Sequence, residues 1–229
     1  MQNLMPDVNF ELARRNMIAQ QVRPWDVLDD RVLDAMQHVP REDFVPAEYR
    51  NVAYTDLELP IGHEQVLMAP KLVGRMLQAL DIQPHDRVLE VGTGTGYTTA
   101  LLARLAHEGH VYSVDLQSEF TTAARQRLAS HGIRNVTLET GNAVNGWDAH
   151  EPYDAIAITG SLPLLTDGFQ RIRESLAVGG RLFVIVGEAP TMEAILITRM
   201  TDNEWRSEGL FETLLPALVH APRPQRFVF

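Results

Sequence analysis

A doubly wound, mostly parallel α/β sheet with a helical extension in front of it is the fold this sequence predicts. Three observations carry that reading. From about residue 81, short apolar runs alternate with helix-like stretches, which is the pattern of strand–helix–strand units. The first apolar run, "DRVLEVG", ends directly in a cluster of glycines at 92, 94 and 96. The last runs, "MEAILITRM" and "EWRSEGLFETLL", follow one another without a helix between them, so the C-terminal strands are expected to include antiparallel ones.

The elements follow in order. Residues 1–80 are expected to form an N-terminal helical lid or extension, packed on a core of residues 81–229 in a single compact unit. Asp7 is a possible cap for a helix reaching about Val22, with Phe10, Leu12, Ala13, Met17 and Ile18 as candidate core positions. "DDRVLDAMQHV" places Val32, Leu33, Met36 and Val39 on one helical face, and Pro40 stops it. The segment "AEYRNVAYTDLELP" reads as loop, and "IGHEQVLMAP" as a linker. Pro70 then opens a helix striped by Leu72, Val73, Met76, Leu77 and Leu80. In the core, "HVYSVDL", "NVTLETG", "YDAIAIT" and "RLFVIVG" read as strands, and "QRFVF" as a final one. "TTALLARLAH", "SEFTTAARQRLASHG" (closed by Gly132) and "LTDGFQRIRESLAVGG" (ending at its glycine pair) read as helices.

Composition narrows the function classes. The 229-residue chain carries a formal charge of −10, which argues against nucleic acid or an anionic membrane as principal partner. It has no cysteine, which removes disulfides, thiolate catalysis and Cys-rich zinc sites, and fits a cytoplasmic protein. The N-terminus lacks the pattern of a signal peptide, and no apolar run approaches the roughly 18 residues of a membrane helix. The eight histidines are scattered, and "HEGH" at 107–110 lacks helical i, i+4 spacing, so no metal site is expected.

Ligands of such sheets bind at the carboxyl ends of the strands. In "LEVGTGTGYTTAL" the glycines allow a sharp turn and close approach of a ligand to the backbone. A nicotinamide loop would read G-x-G-x-x-G/A, and Tyr97 stands at the last of those positions. Asp115 ends the second strand nineteen residues beyond Gly96, where a carboxylate can accept hydrogen bonds from ribose hydroxyls. Asn142 follows the third strand and is either an adenine-edge contact or a turn residue. Thr159, Gly160 and Ser161 follow the fourth and lie beside the same crevice.

These residues resemble the Rossmann-like class I S-adenosylmethionine-dependent methyltransferases, through "VLEVGTGTGY", the acidic end of the next strand, "YDAIAIT" and "LAVGGRLFVIVG". Upstream, "RVLDAMQHVPREDFVPAEYRNVAYTDLELPIGHEQ" is similar to the protein-L-isoaspartate O-methyltransferase family. The resemblance spans about residues 11–190 and implies methyl ester formation on an isoaspartyl carboxylate of a damaged protein, a repair reaction, with S-adenosyl-L-methionine as cofactor. It implies cofactor contacts from Glu90, Gly92, Thr93, Gly94, Thr95, Gly96, Asp115, Leu116, Gly141, Asn142, Ala143 and Thr159. It implies an acceptor loop of His63, Glu64, Gln65, Val66, Leu67 and Met68. No residue is assigned as catalytic, because a carboxylate is already ionised at neutral pH and needs no general base.

The acceptor loop departs from the family pattern I-G-x-G-Q-T-I-S-x-P. Glu64 stands at the second Gly, Val66 at the Thr and Met68 at the Ser. Two hydroxyls able to orient a carboxylate are missing, and Glu64 would repel one if it faced inward. Two alternatives therefore stay open: a methyltransferase acting on another nucleophile, and a scaffold that binds the cofactor without turnover. The oligomeric state is not legible from the sequence.

Overall fold

The computed structural model describes residues 8–224. The proposed Asp7 cap and the final strand over 225–229 lie outside the described residues.

Helix α1 (Phe10–Met17) is capped by Asn9, whose side chain accepts from Leu12 N at 3.0 Å. Met17 and Ile18 are buried as expected, but Leu12 is 47% exposed. At 100° per residue Leu12 points away from the face shared by Phe10 and Met17, so it is not a core residue. The chain continues as a π-helical turn (Ile18–Val22) and a short 3₁₀ turn (Arg23–Trp25). Helix α2 (Asp30–His38) is capped by the Asp29 carboxylate and buries Val32, Leu33 and Met36, with Val39 just beyond.

Arg41–Asp43 and Ala47–Val52 form 3₁₀ turns, the second within the stretch expected to be loop. The next stretch also departs from expectation. "IGHEQVLMAP" is not a linker but the larger part of a hairpin, with β1 (Leu59–Gly62) paired antiparallel to β2 (Gln65–Leu67). Its two-residue turn puts His63 and Glu64 in the left-handed region, with φ of 51° and 58°. Such turns favour Asn-Gly, so a His-Glu tip carries no sequence signature of a hairpin. Helix α3 (Pro70–Leu80) follows, and all five residues of its stripe are buried.

The sheet comprises β3 (Arg87–Val91), β4 (His110–Asp115), β5 (Val136–Thr140), β6 (Tyr153–Leu162), β7 (Leu176–Glu188), β8 (Thr191–Thr201) and β9 (Glu204–Glu212). Their order is β5-β4-β3-β6-β7-β8-β9. The first five are parallel; β8 and β9 are antiparallel to their neighbours. Helices α4 (Tyr97–Leu105), α5 (Ser118–Ser130) and α6 (Asp167–Glu174) connect the parallel strands. Helix α6 stops before the Gly179–Gly180 pair, which lies within β7. There Leu176 already pairs with Tyr153, and Gly179, at φ 84°, takes up a shift in strand register.

Alternate residues of the central strands face two cores. Val88, Ala155 and Phe183 pack with α3, α4 and the N-terminal helices. Leu89, Ile156 and Leu182 pack with Phe169 and Ile172 of α6. Each fully buried Val, Leu, Ile or Phe side chain among these contributes about 1.5–3 kcal/mol, so the scaffold below the strand ends is firmly held. The chain runs outward from β3 in opposite directions, to β4 and to β6, and leaves a crevice where their carboxyl ends diverge. No helix among the described residues is long and apolar enough to cross a membrane.

Candidate active site

The crevice is half-open to solvent, between the strand ends and the β1–β2 hairpin. One side is built by the strand ends. Gly92 leaves β3 at φ 102°, and a Cβ there would lie 2.3 Å from Thr159 Oγ1. The Thr159 hydroxyl donates to the carbonyl pair of Val91 and Gly92, at 2.9 and 2.6 Å, tying β6 to the loop. Gly94 (φ 50°) donates its N–H to Asp115 Oδ2 at 2.8 Å, while Gln117 N donates to Oδ1 at 2.9 Å. Burial pushes the Asp115 carboxyl up; backbone N–H donors and the nearby His63 oppose this.

Beneath the loop, Glu90 is fully buried. Its Oε2 accepts from Thr99 Oγ1 at 2.5 Å and Ser113 Oγ at 2.6 Å, and Oε1 has no partner among the described residues. Burial pushes this carboxyl up to about 8, against the two hydroxyls that favour its charged form. The buried Thr95 hydroxyl, on the crevice wall, is also unpartnered.

Of the expected cofactor residues, Glu90 and Gly96 are not in the wall. Gly96 instead starts α4 at φ 87°, where a Cβ would meet Ala124 Cβ of α5 at 3.0 Å. The third glycine therefore serves helix packing. Tyr97 next to it is buried. The others line the crevice: Thr93, Leu116, Gly141, Asn142 and Ala143 join Gly92, Gly94, Thr95, Asp115 and Thr159. Asn142 Oδ1 accepts from Val144 N at 3.1 Å, so the amide also shapes its own turn. Trp147 packs against Gly141, where a Cβ would fall 2.7 Å from the indole ring.

The opposite side is the hairpin and the residue after it. Gln65, Val66, Leu67 and Met68 line the crevice, and Met68 is almost wholly buried. His63 and Glu64 do not line it. They form the tip, where the His63 ring stands edge-on to Phe120 of α5 with centroids 5.3 Å apart. Glu64 therefore does not confront an incoming carboxylate from the wall. Ile61 reaches over the glycine loop, its Cδ1 3.1 Å from where a Gly94 Cβ would be.

Sequence reasoning missed Leu218 and Val219, which also line the crevice. They arrive on a C-terminal strap held to β6 by Ser161 N to Pro216 O (3.0 Å) and Leu218 N to Ser161 O (2.9 Å). Ser161 is thus buried and structural, its hydroxyl donating to Leu215 O at 2.9 Å. Val91, Thr98, Val114, Gln117, Phe120 and Val144 were missed as well; each lies within or beside a segment that was identified.

The family described as Protein-L-isoaspartate(D-aspartate) O-methyltransferase matches residues 13–219. The chain belongs to that family. A relative from Pelobacter propionicus, named protein-L-isoaspartate O-methyltransferase 2, is 40% identical over 214 residues, covering 93% of each chain. One of the same enzyme name from Aeropyrum pernix is 40% identical over 212 residues, covering 92% of this chain and 80% of its own. A solved protein-L-isoaspartate O-methyltransferase superposes with a TM-score of 0.74 at 25% identity, over 89% of this chain and 65% of that one. A Plasmodium falciparum structure, described as a putative family member with S-adenosyl-L-homocysteine, shares the fold (TM-score 0.76, 19% identity, 93% and 99% covered). The chain is an S-adenosylmethionine-dependent O-methyltransferase with a Rossmann-like core.

Proposed function

We propose that the protein methylates the side-chain carboxylate of isoaspartyl residues in proteins or peptides. The observation that carries this reading is the full-length relationship to enzymes of that name, at 40% identity over 93% of both chains. It includes the hairpin, the wall opposite the glycine loop.

S-adenosylmethionine, when bound, supplies a methyl group activated on a sulfonium. Gly92 and Gly94 would give it a Cβ-free floor, and Thr95 a buried hydroxyl. Asp115 would accept from the ribose hydroxyls. Glu90 lies behind the wall with Oε1 free, where its carboxylate, when ionised, would favour the cofactor's cationic amino group across the glycine loop. Leu116, Asn142 and Ala143 would bound the base. The acceptor carboxylate oxygen would take that methyl group, and the carbon–sulfur electron pair would stay on sulfur as a neutral thioether. No proton moves, so the protein's task is alignment and exclusion of water. The hairpin and the strap around Leu218 suit both. In this reading residues 1–80 serve as a lid extension on a core of residues 81–229, and the cysteine-free chain works in the cytoplasm.

A second reading keeps the enzyme and changes the acceptor. Val66 and Met68 give the crevice no hydroxyl, and this favours a less polar nucleophile. Labelled-methyl transfer to an isoaspartyl peptide and its aspartyl counterpart, beside a cofactor titration, decides between them. Transfer to the isoaspartyl peptide alone is expected. Cofactor binding without any transfer would overturn the first reading. The Val66→Thr, Met68→Ser double variant should raise kcat/KM on that peptide about tenfold or more, since a hydrogen bond to a charged group is worth roughly 1.5–3 kcal/mol.

A further inference from the structure

Among the described residues, only one charged residue, Asp115, lines the crevice, and it is an anion; none of them puts a cation in the wall. An anionic acceptor must therefore find its positive field behind the wall. On the acceptor side stands Arg41, whose side chain is completely buried. Its Nη2 donates to Met68 O and its Nε to Ala53 O, both at 2.8 Å, so it staples the two ends of the hairpin segment. Its guanidinium lies over the Tyr97 ring, 4.9 Å from the centroid, at the start of α4. Nη1 has no hydrogen-bond partner among the described residues.

No carboxylate neutralises Arg41 among the described residues. The adjacent Glu42 is taken by Arg14 at 2.9 Å and by the Tyr54 hydroxyl. An unpaired buried cation is costly, and a structural staple for two carbonyls does not need a charge. Arg127 also grips a wall carbonyl, Thr95 O at 3.2 Å, but from the cofactor side and with partial exposure to water that screens it.

We infer that Arg41 is a positioning and specificity residue that makes the acceptor half of the crevice select an anionic nucleophile, a carboxylate, over its neutral isostere. It acts through the Met68 carbonyl, which fixes the acceptor wall against α4, and through a charge held one residue behind that wall. This inference rests on the carboxylate acceptor proposed above, and it supplies an attraction that the missing hydroxyls do not.

The test is binding of an isoaspartyl peptide and its isoasparagine (side-chain amide) analogue to the full chain saturated with S-adenosylhomocysteine. The parent should prefer the carboxylate by about tenfold or more. Arg41→Lys, which keeps the charge and loses the fork, should hold that preference within about threefold. Arg41→Met should lose it while its cofactor Kd stays near the parent value, whereas a purely structural role would weaken both peptides equally in both variants. If Arg41→Met does not fold, Arg41→Gln, which removes the charge but keeps an N–H donor for the Met68 carbonyl, takes its place: it should lose the preference, and keeping it overturns the inference. A parent that methylates the isoaspartyl peptide yet binds the amide equally well overturns the inference and leaves the acceptor reading standing. A parent that binds neither peptide overturns both.

Discussion

The two halves of the crevice are built on different principles. The half we assign to the cofactor comes from the carboxyl ends of the parallel strands β3, β4, β5 and β6, and is rich in hydrogen-bonding groups. The half we assign to the acceptor comes from outside those strands: a hairpin from the N-terminal extension and a strap that returns from beyond β9. It presents mainly Val66, Leu67, Met68, Leu218 and Val219. The first half is fixed by local rules of chain turning, which leave little freedom in what it binds. The second is a tertiary assembly laid over it, touching the glycine loop through Ile61 and Leu218.

The largest expected effect breaks the cofactor half alone. Gly92→Ala would force a side chain into the left-handed region and place its Cβ 2.3 Å from Thr159 Oγ1. Either fault costs about 1–3 kcal/mol, and the clash also pries β6 from the loop. Cofactor affinity should fall at least about 100-fold by calorimetry, and Tm by about 4–8 °C. If peptide affinity fell further than cofactor affinity, the halves would not be separable in this way.

The same contrast explains what the sequence reveals. The Cβ-free turn at Gly92 and Gly94 and the strand-end place of Asp115 are legible because they follow from position within a strand–turn–helix repeat. The buried stripe of α3 and the antiparallel β8 and β9 follow from periodicity and from missing helices. The hairpin is not legible: its His63–Glu64 turn lacks the Asn-Gly signal, and its pairing shows only once the N-terminal helices pack. Leu218 and Val219 are not legible either, because what places them is a hydrogen bond to Ser161, 57 residues earlier. Gly96 fits the same loop pattern but lies behind the wall, packed against Ala124 of α5, which the pattern does not reveal.

A smaller effect sharpens the cofactor half. Glu90 has its folded value raised to about 8 by burial, from an ordinary 4.5. Between those values the folded protein holds a proton that the unfolded chain has lost. Stability is therefore fully present below about pH 4.5 and declines as pH rises through about 8. Glu90→Gln keeps an acceptor oxygen for Thr99 and Ser113 but carries no charge. Its Tm should fall less than the parent's between pH 5 and 9. Its cofactor Kd at pH 8 should rise about tenfold, from loss of a charged partner for the amino group. An unchanged Kd would remove Glu90 from the cofactor half and leave it a structural acid.

The smallest effect tests where the acceptor half ends. Glu64 sits at φ 58° on the hairpin tip, outside the crevice wall. The left-handed conformation costs a non-glycine residue roughly 1–2 kcal/mol. Glycine relieves this but loses about 0.5–1 kcal/mol more conformational entropy on folding. The two nearly cancel, so Glu64→Gly should raise Tm by only about 1–2 °C. The informative readout is kinetic. With the tip beyond the acceptor half, kcat/KM for an isoaspartyl peptide should change less than about twofold. If deleting this negative charge instead improved peptide KM several-fold, the tip would be repelling the acceptor carboxylate. The acceptor half would then extend to His63 and Phe120, and the contact between them would belong to substrate selection as well as to closing the hairpin over the cofactor.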